Sequence, residues 1–125
     1  MALPPTGTLS DRAILVVEDE PVISMLMIDC LEDQGARVIG PVSTVDAALA
    51  VLASQGKIDG AFLDINLNGE FSYPVADLLL DRGIPFVFVT GYRDSDVPDT
   101  YKDIKRCEKP KRPEACIEIL RSLWP

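Results

Sequence analysis

The sequence predicts an α/β fold built on a parallel sheet, with helices on both faces. Three observations carry that prediction. Short continuous apolar runs recur along the chain, stretches with helical start and stop signals separate them, and the connections between the two are short. At 125 residues the chain fits one domain. Residues 1–10 read as a loose tail and residues 11–125 as the domain.

The first apolar run is Ile14-Leu15-Val16-Val17, the pattern expected of a strand covered on both faces. Pro21 suits the first turn of a helix running to about Gln34, where Gly35 supplies a left-handed exit. Ile23, Leu26, Met27, Cys30 and Leu31 form the stripe expected to pack on the sheet. Val22, Met25 and Ile28 fall outside it. They read either as ordinary scatter on a surface or as a docking face for a kinase or for a second copy, giving a homodimer through this helix.

Val38-Ile39 marks the second strand, and Gly40-Pro41 after it reads as a turn signal. Ser43 with Asp46 three residues on resembles a capping box, so a helix is expected from there to Gly56. Ala61-Phe62-Leu63 is the third strand, Pro74 to Arg82 a third helix stopped by Gly83, and Phe86-Val87-Phe88-Val89 the fourth strand. Arg93 to Arg106 is polar, with a weak helical face through Val97, Tyr101 and Ile104, and is expected to hold a short or mobile helix. A polar edge strand near Lys105 to Glu108 follows. The last helix begins near Pro113, with Ala115, Cys116, Ile119, Leu120 and Leu123 at helical spacing.

Composition narrows the function classes. The net charge of −8 opposes direct binding to nucleic acid, whose backbone needs clustered Lys and Arg. No stretch approaches the ~20 apolar residues of a membrane span, and Met1 to Gly7 lacks the charged and apolar regions of a signal peptide. The three cysteines, without framework spacing, read as reduced, buried thiols of a cytoplasmic protein. There is no histidine, which removes His-based catalysis and ligation.

In open α/β sheets, functional groups gather beyond the carboxyl ends of the strands. Those ends carry Glu18-Asp19-Glu20, Asp64, Thr90 and Lys109. Carboxylates crowded into one crevice stay ionised only if a cation neutralises them. With oxygen ligands alone on offer, Mg²⁺ is the natural choice and zinc is not. Such a site suits phosphoryl transfer, with Asp64 as the nucleophile that forms an aspartyl phosphate. Mg²⁺, the Thr90 hydroxyl and the Lys109 ammonium would each take one phosphoryl oxygen.

The set Glu18-Asp19, Leu63-Asp64, Thr90-Gly91 and Lys109-Pro110 resembles the response-regulator receiver family of two-component signalling, in order and spacing. The likeness runs from about Asp11 to Trp124. Phe88-Val89-Thr90-Gly91-Tyr92 further resembles a bacterial subgroup with a Phe-x-Thr-Gly-Tyr fourth strand, whose members are often single-domain proteins. The resemblance implies a flavodoxin-like (βα)5 fold with strand order 2-1-3-4-5. It implies that Asp64 is the phosphoacceptor, Asp19 a direct Mg²⁺ ligand, Glu18 a ligand through water, and Asn66 a ligand through its backbone carbonyl. Thr90 and Lys109 become the switch hydroxyl and the phosphate-pairing amine, with a cis peptide before Pro110 aiming the lysine inward. Tyr92 reads either as a packed aromatic or as a gate over the pocket.

Two positions depart from the family pattern. Many receivers carry an aromatic three positions before the lysine, where this chain has Arg106, and an apolar residue after Lys-Pro, where it has Lys111. The resemblance implies a phosphoacceptor rather than an enzyme. Its donor would be a sensor histidine kinase or a histidine phosphotransfer protein, and its output a protein partner or a role as phosphate sink. The alternatives are a magnesium-dependent phosphatase using Asp64, opposed by Asn66 where a second acid belongs, and a non-phosphorylated pseudo-receiver serving as a binding module.

Overall fold

The computed structural model describes residues 9–91, 97–109 and 112–124. In chain order the elements are β1 (Ala13–Val17), α1 (Pro21–Asp33), β2 (Arg37–Val42), α2 (Val45–Ser54), β3 (Gly60–Asp64), β4 (Asn66–Leu67), β5 (Glu70–Phe71), α3 (Tyr73–Asp81), β6 (Phe86–Thr90), a 3₁₀ turn (Asp99–Tyr101), β7 (Arg106–Glu108) and α4 (Pro113–Arg121). Five strands form a parallel sheet in the order β2-β1-β3-β6-β7. Counting only those five, this is the expected order 2-1-3-4-5.

Strand alternation sends successive side chains to opposite faces of this sheet. Leu15, Val17, Ala61, Leu63, Phe86 and Phe88 pack on one side with residues of α2 and α3. Ile14, Val16, Phe62, Val87 and Val89 pack on the other with residues of α1 and α4. Every residue of β1, β3 and β6 is buried, which is why these segments read as unbroken apolar runs.

α1 begins at Pro21 as expected and is capped by Gln34. Met27, Cys30 and Leu31 of the expected stripe pack on the core, and the stripe departs from expectation at Leu26 and Ser24. Ser24, Met27 and Leu31 are buried and Ile28 packs against the core, while Leu26 is 47% exposed beside Val22 and Met25. The small Ser24 lies against the sheet with its hydroxyl donating to the Pro21 carbonyl at 3.0 Å. α2 is capped by Thr44 rather than Ser43: the Thr44 hydroxyl accepts from the Ala47 N–H at 3.1 Å, and the helix starts at Val45.

Gly40-Pro41 lies inside β2 rather than in a turn, where the pairing with β1 shifts register between Leu15 and Val17. Gly40 adopts φ +110°, and a Cβ there would come within 2.7 Å of the Val16 carbonyl oxygen. Leu9, within the stretch read as a tail, is fully buried in the α1/α4 side of the core.

An antiparallel hairpin of β4 and β5 was not expected from the sequence. Asn68 and Gly69 at its tip have φ of 53° and 93°, the left-handed pair a two-residue hairpin turn requires. Between β6 and β7, the described part of the polar stretch holds a single 3₁₀ turn. Val97, Tyr101 and Ile104 pack on the α2/α3 side of the core, so the weak apolar face is the one that docks.

The cysteines differ from expectation as well. β7 and α4 pack so that Cys107 and Cys116 have Cα atoms 5.5 Å apart and are joined by a disulfide, leaving Cys30 as the free thiol. Among the described residues, no helix is long and apolar enough to cross a membrane.

Candidate functional site

The carboxyl ends of β1, β3, β6 and β7 meet at one edge of the sheet. Leaving β1, the Glu18 N–H donates to the Val42 carbonyl at 2.9 Å, which holds the turn into α1 against β2. The Glu18 side chain folds back to accept the Glu20 N–H at 3.1 Å and is 5% exposed. Asp64 ends the central strand β3 and is 3% exposed. The Asn66 N–H donates to Asp64 Oδ1 at 3.2 Å, and the buried Ser72 hydroxyl donates to the Asp64 carbonyl oxygen at 2.5 Å. Those two contacts fix both the side chain and the main chain of Asp64 at the base of the hairpin.

The hairpin reaches across the pocket. The Asn68 N–H donates to Asp19 Oδ2 at 2.9 Å, joining the tip to the loop after β1, and the Asn66 side-chain oxygen accepts the Gly69 N–H at 2.6 Å. Asn66 therefore contacts Asp64 through its N–H. Thr90, buried, closes β6, and its carbonyl accepts the Lys109 N–H at 2.6 Å, which brings the last two strand ends together.

Lys109 ties the acidic groups to one another. Its Nζ lies 2.8 Å from Asp64 Oδ2 and 2.9 Å from Glu18 Oε2, and it also donates to Glu20 Oε1. One oxygen from each of Glu18, Asp19, Glu20 and Asp64 falls within 4.8 Å of the others. Three of these four carboxylates, Glu18, Glu20 and Asp64, thus share one ammonium, while Asp19 accepts from the hairpin tip.

Burial, the largest influence, pushes the Asp64 carboxyl up to about 7 from an ordinary 3.8. The Lys109 hydrogen bond opposes that rise and the Glu18 charge adds to it. The Lys109 pKa is raised as well, which here favours the charged form. Burial disfavours its charge, but the hydrogen bonds from Asp64, Glu20 and Glu18 outweigh that and hold its pKa above the ordinary lysine range.

The structure therefore brings Glu18, Asp19, Asp64, Asn66 and Lys109 together, with Thr90 at the adjoining strand end. Arg106 sits apart, half-buried in β7 and in register with Phe88. Tyr92 and Pro110 lie outside the described residues. Sequence reasoning gave no role to Glu20 as a lysine partner, to Ser72, or to the Asn68-Gly69 tip. The last carried a readable signal, since Asn-Gly is the strongest short hairpin cue. Ser72 carried none, because a lone serine before a helix reads as a cap.

A response regulator receiver domain model matches residues 14–106. The chain belongs to that family. The match covers Glu18, Asp19, Asp64 and Thr90, and the fold then adds Lys109, three residues beyond it. In a solved structure, SdrG from Sphingomonas melonis Fr1 is 42% identical, with a TM-score of 0.76 over 90% of this chain and 97% of that one. A structure of the BeF3-activated conformation of SdrG, its source given as Pseudomonas melonis Fr1, is 41% identical, with a TM-score of 0.75 over 91% and 97% of the two chains.

Among curated proteins, the phyllosphere-induced regulator PhyR of Methylorubrum extorquens is 39% identical over 82 residues, 63% of this receiver domain and 30% of PhyR. The uncharacterized transcriptional regulatory protein YbdJ of Bacillus subtilis is 34% identical over 85 residues, 66% of this chain and 36% of YbdJ. The chain thus spans about a third of the length of the curated relatives it matches.

Proposed function

We propose that this receiver domain is the phosphoacceptor of a two-component phosphorelay, carrying the phosphoryl group on Asp64. The observation that supports it most is the setting of Asp64. A buried carboxylate ends the central strand with one oxygen on the Lys109 ammonium and three further carboxylates close by. An Asp64 oxygen would form the new O–P bond, and the N–P bond to a donor phosphohistidine would break with its electron pair left on the imidazole nitrogen.

The donor set fits Mg²⁺: it is all oxygen, and one ammonium leaves four carboxylates short of neutral. Glu18, Asp19, Asp64 and the backbone carbonyl of Asn66 would hold the ion. When bound, it supplies charge neutralisation for the incoming phosphoryl group. The chain's own residues do the rest. Lys109 moves from sharing its ammonium among three carboxylates to pairing with a phosphoryl oxygen, and the Thr90 hydroxyl takes another. The Ser72 and Asn66 hydrogen bonds keep Asp64 in place throughout.

The donor is a sensor histidine kinase or a histidine phosphotransfer protein. The output is a change in affinity for a protein partner, or removal of phosphate as a sink, in the cytoplasm. Similarity to SdrG, which has been solved in a BeF3-activated conformation, supports a domain with distinct activated and resting forms. The net charge of −8 supports a protein rather than a nucleic-acid target.

The test is intact mass after incubation with Mg²⁺ and acetyl phosphate, for the native protein and for Asp64→Asn. A single phosphoryl adduct that needs the metal and is lost in the variant is expected. No adduct with either small or protein donors would point to a pseudo-receiver, and rapid turnover of phosphomonoesters without an adduct would point to a phosphatase.

A further inference from the structure

Among the described residues one disulfide joins two successive elements, Cys107 in β7 to Cys116 in α4, nine positions on. The 5.5 Å between their Cα atoms lies within the span a disulfide needs. Cys107 is 8% exposed and Cys116 fully buried, so the bond sits beneath α4 in the core. The crosslink closes a ring of chain, and that ring contains Lys109, two residues after Cys107. Lys109 is also the cation that Glu18, Glu20 and Asp64 share. On the sheet side, its N–H is tied to the Thr90 carbonyl at 2.6 Å. On the other side, the chain continues to Arg112 and α4, whose Cys116 leads back covalently to the strand Lys109 left.

We propose that Cys107 and Cys116 are a redox-responsive pair whose oxidation fixes the segment carrying Lys109, so that surrounding thiol–disulfide conditions set how fast Asp64 is phosphorylated. The pairing stands on the geometry alone; its consequence rests on the phosphoacceptor reading. A crosslink removes conformations from the ring it closes. A group that must meet a reacting oxygen within hydrogen-bond distance loses rate steeply when its placement loosens. In a reducing compartment such a bond is transient and regulatory rather than permanent.

The oxidant is the disulfide of a small thiol, of the glutathione class. The Cys107 thiol, the more exposed of the two, loses its proton and attacks one sulfur of that disulfide. A mixed disulfide forms and one small thiolate leaves, taking up the proton. The Cys116 thiolate then attacks the Cys107 sulfur, and the second small thiolate leaves and is protonated. Two electrons and two protons pass from the protein to the small disulfide, which departs as two thiols. Because Cys116 is buried, each exchange requires α4 to lift from β7. A nine-residue helix at the end of the fold can do this by local opening.

The test uses the native full chain equilibrated in reduced and in oxidised glutathione, with thiols then alkylated after unfolding and counted by intact mass. One alkylated cysteine, Cys30, is expected in the oxidised sample and three in the reduced one. The rate of phosphorylation by acetyl phosphate with Mg²⁺ is expected to be at least about threefold lower in the reduced sample. A Cys107→Ser/Cys116→Ser variant should hold the reduced rate in both buffers. Three alkylated cysteines under oxidising conditions would overturn the pairing. Equal rates in the two states of the native protein, which need no variant to fold, would overturn the consequence. If neither state takes a phosphoryl group, the phosphoacceptor reading and the rate effect fall together, while the alkylation count still decides the pairing.

Discussion

The Lys109 ammonium lies 2.8 Å from Asp64 Oδ2, so the end of the last strand of the sheet is joined by an ion pair to the end of its central strand. Glu18 and Glu20 share the same ammonium. A buried pair of this kind contributes less than its Coulomb attraction, because both ions were taken out of water. Here the cost shows on the carboxylate, which has more negative neighbours than one lysine neutralises.

Stability should therefore depend on pH through Asp64. Its carboxyl is pushed up to about 7 by burial, against 3.8 when exposed. The folded protein binds that proton more tightly than the unfolded chain does. The stabilisation this gives is fully present below about pH 4 and is lost as pH rises through 7. In urea denaturation across this range, Asp64→Asn should gain on the native protein between pH 4 and 7 and be the more stable of the two at pH 8. Parallel stability curves for the two proteins would sink this account.

Mg²⁺ should offset the same excess of negative charge. A ligand that binds only the folded state at about 100 times its Kd adds roughly 2.7 kcal/mol. For a domain of this size that is a rise in Tm on the order of 10 °C. Protons compete for the same oxygens, so the rise at pH 8 should exceed that at pH 5. Scanning fluorimetry of the native protein and of Asp19→Asn checks this, and the variant should lose most of the response.

Tyr101 should anchor the segment between β6 and β7. Its hydroxyl donates to Asp77 Oδ1 at 2.7 Å, and its ring stacks on Tyr73 at 4.6 Å and meets Phe88 edge-on at 6.4 Å. Tyr101→Phe keeps the stacking and loses one hydrogen bond, a cost of about 1 kcal/mol. Tyr101→Ala empties a buried aromatic site and should cost about 3–5 kcal/mol. Amide hydrogen exchange at residues 97–105 should quicken in both variants. Phosphorylation of the native protein should change exchange in the same segment if it reports the state of Asp64.

The contrast between Tyr101 and Asp64 shows what the sequence reveals. Glu18-Asp19 and Asp64 were legible because each stands at the end of a buried strand, and unbroken apolar runs mark buried strands plainly, whereas Lys109 follows a polar edge strand and was legible through the Lys-Pro pair of the family pattern. Parallel topology then forces their ends together. Tyr101 lies in a polar stretch, in a 3₁₀ turn too short for periodicity to define. Its anchoring depends on Tyr73 and Asp77, whose nearness only the fold creates. The same limit applies to Cys107 and Cys116, which read as separate thiols until β7 and α4 are packed. A detail of α1 escaped for a different reason. Met27, Cys30 and Leu31 face the core as expected, but Ser24 is buried and Leu26 is exposed, an exchange that hydrophobicity alone does not signal.

The start of α2 offers a test of how finely a cap is set. Ser43 with Asp46 has the spacing of a capping box, yet the hydroxyl that accepts a helix N–H is that of Thr44, 3.1 Å from the Ala47 nitrogen. Thr44 has the extended backbone of a cap, with φ −133° and ψ 158°, and Asp46 falls in the first turn, where its charge favours the helix dipole. Thr44→Ala should therefore cost about 1 kcal/mol, whereas Ser43→Ala should stay within about 0.5 kcal/mol of the native protein. Chemical denaturation of the two variants decides between the adjacent hydroxyls. A larger loss at Ser43 would move the cap by one residue and, with it, the first turn of the helix that packs Val45 and Ala48 against the sheet.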